Sequence, residues 1–157
     1  MAKVDVYTKE AQRAVYTSAL VNGGQLVAIS TKIEGGTDDL AGSVYRFAKD
    51  IDSNLIPFKL WISTPAITSG TAKIGIYKPN GGAAVDDGAL DSAIDLAKEQ
   101  KNIDGLTAIT TGNQQKTLAE LANIEAADYP AVDLGFEISG AAAAGKVIDV
   151  TGIFLKP

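Results

Sequence analysis

Two acidic pairs, Asp38-Asp39 and Asp86-Asp87, come nearest to chemistry in this chain of 157 residues. The second pair is followed by Gly88 and Asp91, and clustered carboxylates in a loop are what calcium takes as oxygen ligands. An EF-hand also needs acidic or amide ligands at alternate positions, a central glycine and a closing glutamate, and that pattern is absent. Asp86, Asp87 and Asp91 therefore read as a solvated turn, and no metal site is expected. Two carboxylates alone can build a glycosidase, usually in an aromatic-lined cleft. One Trp, five Tyr and four Phe leave little to line one. Gly81-Gly82 follows a strand pattern, but neither G-x-G-x-x-G nor G-x-x-x-x-G-K-[ST] is present, so these glycines read as turn residues rather than a phosphate cradle.

The chain has no cysteine and no histidine. Their absence removes disulfides, thiolate and imidazole metal sites, Ser-His and Cys-His nucleophile pairs and histidine proton shuttles. Neither a catalytic residue nor a cofactor is expected. The formal net charge of -5 argues against attraction to nucleic acid or to an anionic membrane. Met1 to Tyr7 contains no apolar h-region, and no uncharged apolar run approaches the ~18 residues of a membrane span. A soluble protein made in a reducing cytoplasm is expected.

The elements that would position any site read as strands. Ile56, Phe58, Leu60 and Ile62 share one face of a first run, and Ala72, Ile74 and Ile76 one face of a second, the period of a half-buried strand. The turn-rich connector Pro65 to Gly70 between them predicts a hairpin at the centre of an all-β core. Trp61 alternates with Leu60 and Ile62 and so points to the opposite face. There it packs under a loop, lines a sugar or protein contact, or sits between two layers.

Residues 1–24 read as an extended arm with one short strand around Ala14 to Ser18, or as an ordinary first strand; the pattern leaves both open. Residues 25–157 form the β-sandwich domain. Val27, Ile29, Thr31 and Ile33 alternate, and Tyr45 and Phe47 face one way with Arg46 opposite. Leu90 to Ala97 fits a helical stripe and an alternation equally; a loop or helical turn through Asp91 into a short strand is the expectation. Lys98 to Asn102 is polar and exposed, and Leu106 to Thr111 predicts a strand. One short helix is expected within Gly112 to Asn123, capped at its start by Asn113 or Thr117, with Thr117 and Glu120 matching a capping box. Val132, Leu134, Phe136 and Ile138 alternate with outward Asp133, Gly135 and Glu137. With Ile148, Val150 and Phe154 they predict a second long hairpin. About eight short strands, one brief helix and no βαβ rhythm give an all-β, antiparallel sandwich or jelly-roll-like fold with an N-terminal arm.

One stretch carries a family resemblance. The run Ala72-Lys-Ile-Gly-Ile-Tyr-Lys-Pro-Asn-Gly-Gly-Ala-Ala-Val-Asp-Asp-Gly-Ala-Leu, then Ala93-Ile-Asp-Leu and Asp104-Gly-Leu, resembles tailed-bacteriophage virion proteins of the head decoration, or capsid cement, type. The likeness covers roughly residues 55 to 155. It implies a non-enzymatic β-rich protein that binds the outer capsid surface and stabilises the head. The partner implied is the major capsid protein, with a homo-oligomer, a trimer favoured, and neither nucleic acid nor membrane. It implies a location on the virion surface after synthesis in the host cytoplasm. Tyr7, Val15 and Tyr16 of the arm are then the expected contact anchors. The rival reading is a carbohydrate- or receptor-binding sandwich of a tail, fibre or other virion component, with Trp61 and nearby tyrosines as a stacking platform.

Overall fold

The computed structural model describes residues 5–7, 17–21, 24–37, 39–67, 70–139 and 145–157, and side-chain burial from residue 26 onward. Its strands are β1 (Asp5–Tyr7), β2 (Thr17–Val21), β3 (Gly24–Glu34), β4 (Ser43–Asp52), β5 (Ile56–Thr64), β6 (Thr71–Tyr77), β7 (Ala84–Asp95), β8 (Gln100–Asp104), β9 (Ala131–Ser139) and β10 (Val147–Lys156). A single-turn helix, α1 (Leu118–Leu121), precedes β9. The strands form two five-stranded sheets, β1-β4-β9-β6-β7 (sheet A) and β2-β3-β10-β5-β8 (sheet B). Every pairing is antiparallel except the short parallel β1–β4 contact.

Counted afresh from β3, the last eight strands run 1-8-3-6 in sheet B and 2-7-4-5 in sheet A. That order is a jelly roll, in which the chain passes back and forth between two packed sheets. The inner faces supply Ile33, Leu60, Ile62, Phe154 and Ile148 from sheet B, and Ile74, Ile76, Leu134 and Phe136 from sheet A, all at most 1% exposed.

The topology corrects both predicted hairpins. β5 belongs to sheet B and β6 to sheet A, so Pro65 to Gly70 spans the sandwich instead of turning within a sheet. β9 and β10 are divided in the same way. Alternation reports which face of a strand is buried, and two strands that face the same core from opposite sheets satisfy it as well as paired neighbours do. Consecutive strands pair instead at β2–β3 and at β6–β7. In the second hairpin the turn is set by glycine and asparagine. Lys78 N–H donates to Ala83 O at 3.0 Å, and Asn80 (φ 58°) and Gly81 (φ 74°) supply the left-handed turn.

Further differences are local. β7 is strand from Ala84, so Asp91 lies within a strand and not in a loop or helical turn. In its pairing with β6, Ile74 opposes Asp91 while Ile76 opposes Asp86, so several β7 residues bulge opposite Gly75. A Cβ at Gly75 would lie 2.4 Å from the Asp86 and Asp87 backbone, which is why the bulge needs glycine beneath it. The run Val85 to Leu90 thus has a packing role.

The strand expected at Leu106 to Thr111 is a series of turns, with the strand earlier, at β8. Asp104 Oδ1 accepts from Leu106 N–H at 2.9 Å and turns the chain away from the sheet. The capping box is present: Thr117 Oγ1 accepts from Glu120 N–H, and the Glu120 carboxylate accepts from Thr117 N–H at 2.8 Å. The helix is shorter than Gly112 to Asn123 because Asn113 Oδ1 accepts from Thr110 N–H and holds the preceding segment as a turn.

A candidate interaction face

The acidic positions do not converge. Asp87 pairs with Lys73 at 3.1 Å, Asp86 accepts from Gly88 N–H, and Asp91, buried and not solvated as expected, accepts from Ala93 N–H. The bond to Asp87, then its charge, raise the Lys73 pKa. Asp39 accepts from Gly36 N–H and from the Tyr45 hydroxyl, while Asp38 lies outside the described residues. Burial, and then the bond to Asp39, push the Tyr45 phenol well above its ordinary range. Among the described residues, no group of three or more Asp and Glu is placed to hold a metal ion.

Of the expected contact residues, Val15 and Tyr16 lie outside the described residues, and Tyr7 is placed only by its backbone, in β1 opposite Arg46. Trp61 is half-buried on the outer face of sheet B, between Thr151 of β10 and Asp104 of β8. As expected, it faces away from Leu60 and Ile62.

Among the described residues, the exposed aromatic is Phe58, at 54%. The sequence pattern placed it inward with Leu60, but a bulge intervenes. Ile153 opposes Lys59 and Phe154 opposes Pro57, so Phe58 has no partner on β10 and turns outward while Pro57 takes the core position. Phe58 forms part of the wall of a cavity of about 640 Å3, with Ile56, Leu155, Leu106 and Ile109 as apolar lining and Lys59, Asp104, Gln114 and Gln115 as polar groups. Lys59 Nζ lies 5.9 Å from the Phe58 ring centroid. Beside the cavity, Ile56, Leu155 and Leu26 occupy one register across β5, β10 and β3, and all are half-buried.

The outer face of sheet A is different in kind. Arg46 and Asp133, expected to point outward, do so, yet are 1% and 0% exposed. The β6–β7 turn folds over them. Arg46 Nη1 donates to Asp133 Oδ2 at 3.0 Å and to Lys78 O at 2.7 Å, and Nη2 donates to Gly82 O. Its guanidinium lies 5.0 Å from the Tyr77 ring centroid, and that ring covers Gly135, where a Cβ would come within 2.5 Å of it. The sequence signal for this cover was Gly75 and Gly135, two mid-strand glycines that turn out to be directly opposed.

Charge divides between the sheets. The strands of sheet A carry nine carboxylates and three cations, those of sheet B three carboxylates and four cations, giving formal charges of -6 and +1.

No protein-family profile matches this chain, and no curated protein matches it in sequence. Two solved structures match this chain in a structural comparison. A chain of the structure described as "Capsid of Ralstonia phage GP4" superposes with a TM-score of 0.71 at 14% identity, covering 98% of this chain and 99% of that one. A chain of "Cyanophage Pam1 capsid asymmetric unit" matches with a TM-score of 0.45 at 12% identity, covering 96% and 98%. At such identities the first likeness establishes a shared jelly-roll fold.

Proposed function

We propose that this chain is a non-enzymatic structural protein of a tailed-phage virion, of the decoration or cement type, that binds the outer surface of the head. One observation carries the reading: the fold matches, end to end, a chain found in the capsid of Ralstonia phage GP4. The resemblance of roughly residues 55 to 155 to virion decoration proteins points the same way. Its partner on this reading is the major capsid protein.

Such a protein works by area and multiplicity. Each subunit that touches more than one coat protein adds an interface that must break before the shell can expand, and tethering makes the second contact effectively intramolecular. Residues 1–24 are the proposed arm, with Tyr7, Val15 and Tyr16 as contact anchors. Within it, β1 adds to sheet A and β2 to sheet B, which would hold an arm at two edges of the sandwich.

The test is the number of copies per purified particle of the source phage, by quantitative mass spectrometry against the major coat protein. Hundreds of copies are expected. A handful would assign the chain to a vertex, tail or fibre, and absence from particles would overturn the proposal.

A further inference from the structure

We propose that the outer face of sheet B is a self-association surface, on which a second copy of this chain docks about a two-fold axis, the exposed Phe58 of each copy entering the cavity of the other. The inference goes beyond the virion reading and does not depend on it.

A two-fold contact brings the same patch of both copies together, so the patch must complement itself. This one has an exposed ring and a recess of apolar and polar lining side by side. The recess, about 640 Å3, lies within the roughly 300–1,000 Å3 typical of sites that accept a buried group. Flanking it are one cation and one carboxylate, Lys59 on β5 and Asp104 on β8, neither ion-paired among the described residues. A two-fold operation that swaps the rings would bring Lys59 of each copy towards Asp104 of the other.

Charge selects this face for a second copy. Two copies meeting through sheet A, whose strands sum to -6 in each, would repel, whereas the strands of sheet B sum to +1 and meet their own copy with little long-range penalty. Pairing at the edges formed by β7 and β8 is disfavoured. β7 is bulged opposite Gly75, and β8 is five residues long, carries Lys101 and has Asn102 at φ 49°.

The experiment is sedimentation equilibrium on the purified full chain from micromolar to millimolar concentration, with no capsid present. The wild type is expected to approach the mass of two copies. Phe58→Asp should weaken association about 30-fold or more, the effect of losing an interface hot spot, with unchanged circular dichroism and melting. If melting falls, Lys59→Asp carries the test. Lys59→Asp and Asp104→Lys should each weaken association, and the two together should restore it. A monomer at millimolar concentration, a mass of three copies, or a dimer indifferent to Phe58→Asp would overturn the proposal. Failure of the double reversal to restore association would overturn the two-fold register. In a separate co-sedimentation with purified capsids, a Phe58→Asp chain that keeps its oligomeric state but no longer binds them would overturn the proposal and assign the face to the shell.

Discussion

Arg46→Met should be among the most destabilising single changes in this protein. Methionine keeps much of the volume and the apolar stem but removes every donor. The Asp133 carboxylate, 0% exposed, keeps its bond from Asp50 N–H at 2.9 Å and loses its cation, while the carbonyls of Lys78 and Gly82 lose the guanidinium that ties the β6–β7 turn to the sheet. Breaking a buried pair from one side costs about 3–5 kcal/mol, because the remaining buried charge loses the cation that offset its desolvation. For a domain of this size that is a fall of about 6–20 °C in Tm. In urea, the midpoint should drop at constant m. Adding Asp133→Asn should recover part of the loss, since the stranded charge is then gone, and the double-mutant cycle should report a coupling of about 0.5–3 kcal/mol. A single-variant loss under about 1 kcal/mol, or additive effects of the two changes, would refute the account of Arg46 as the latch of the turn.

Three further outcomes follow from particular contacts. Gly135→Ala places a methyl against the Tyr77 ring and should cost about 1–3 kcal/mol by urea unfolding; a neutral result would mean that the ring does not cover the strand. Thr117→Ala removes the acceptor for Glu120 N–H and should cost about 1 kcal/mol, whereas Thr117→Ser should cost little. Tyr45→Phe tests the raised phenol pKa. A folded value above the ordinary 10.0 means that the native state keeps its proton after the unfolded chain has lost it, so the contribution is whole below pH 10.0 and is lost as pH rises further. The wild type should therefore lose stability more steeply than Tyr45→Phe above that pH, and parallel slopes would contradict the assignment.

What was legible in the sequence was the class of fold and most of the inward faces. Val27 to Ile33, Val132 to Ile138 and Ile148 to Phe154 alternate as the core requires, and Thr117 with Glu120 marked the helix start correctly. Strand pairing was not legible, because hydrophobic alternation carries no information about which sheet a strand joins. Phe58 escaped for a different reason: one bulge shifts the facing of a whole segment, and its one mark in the sequence, Pro57 inside a strand pattern, does not show in hydrophobic alternation. Arg46 and Asp133 were assigned the right face and the wrong environment, since a turn from elsewhere in the chain buries them.

The charge partition shows why topology must be known before any interaction surface can be chosen. Along the chain, acidic residues are scattered and the formal charge sums to -5. A jelly roll deals most successive strands to alternate sheets, and here β4, β7 and β9, which together hold eight of the carboxylates, all fall in sheet A, while Lys32, Lys59, Lys101 and Lys156 fall in sheet B. The same winding that defeated the hairpin predictions thus separates an acidic face from a nearly neutral one that holds an exposed ring beside a recess. A partner that needs apolar contact and tolerates little desolvated charge can use only the second.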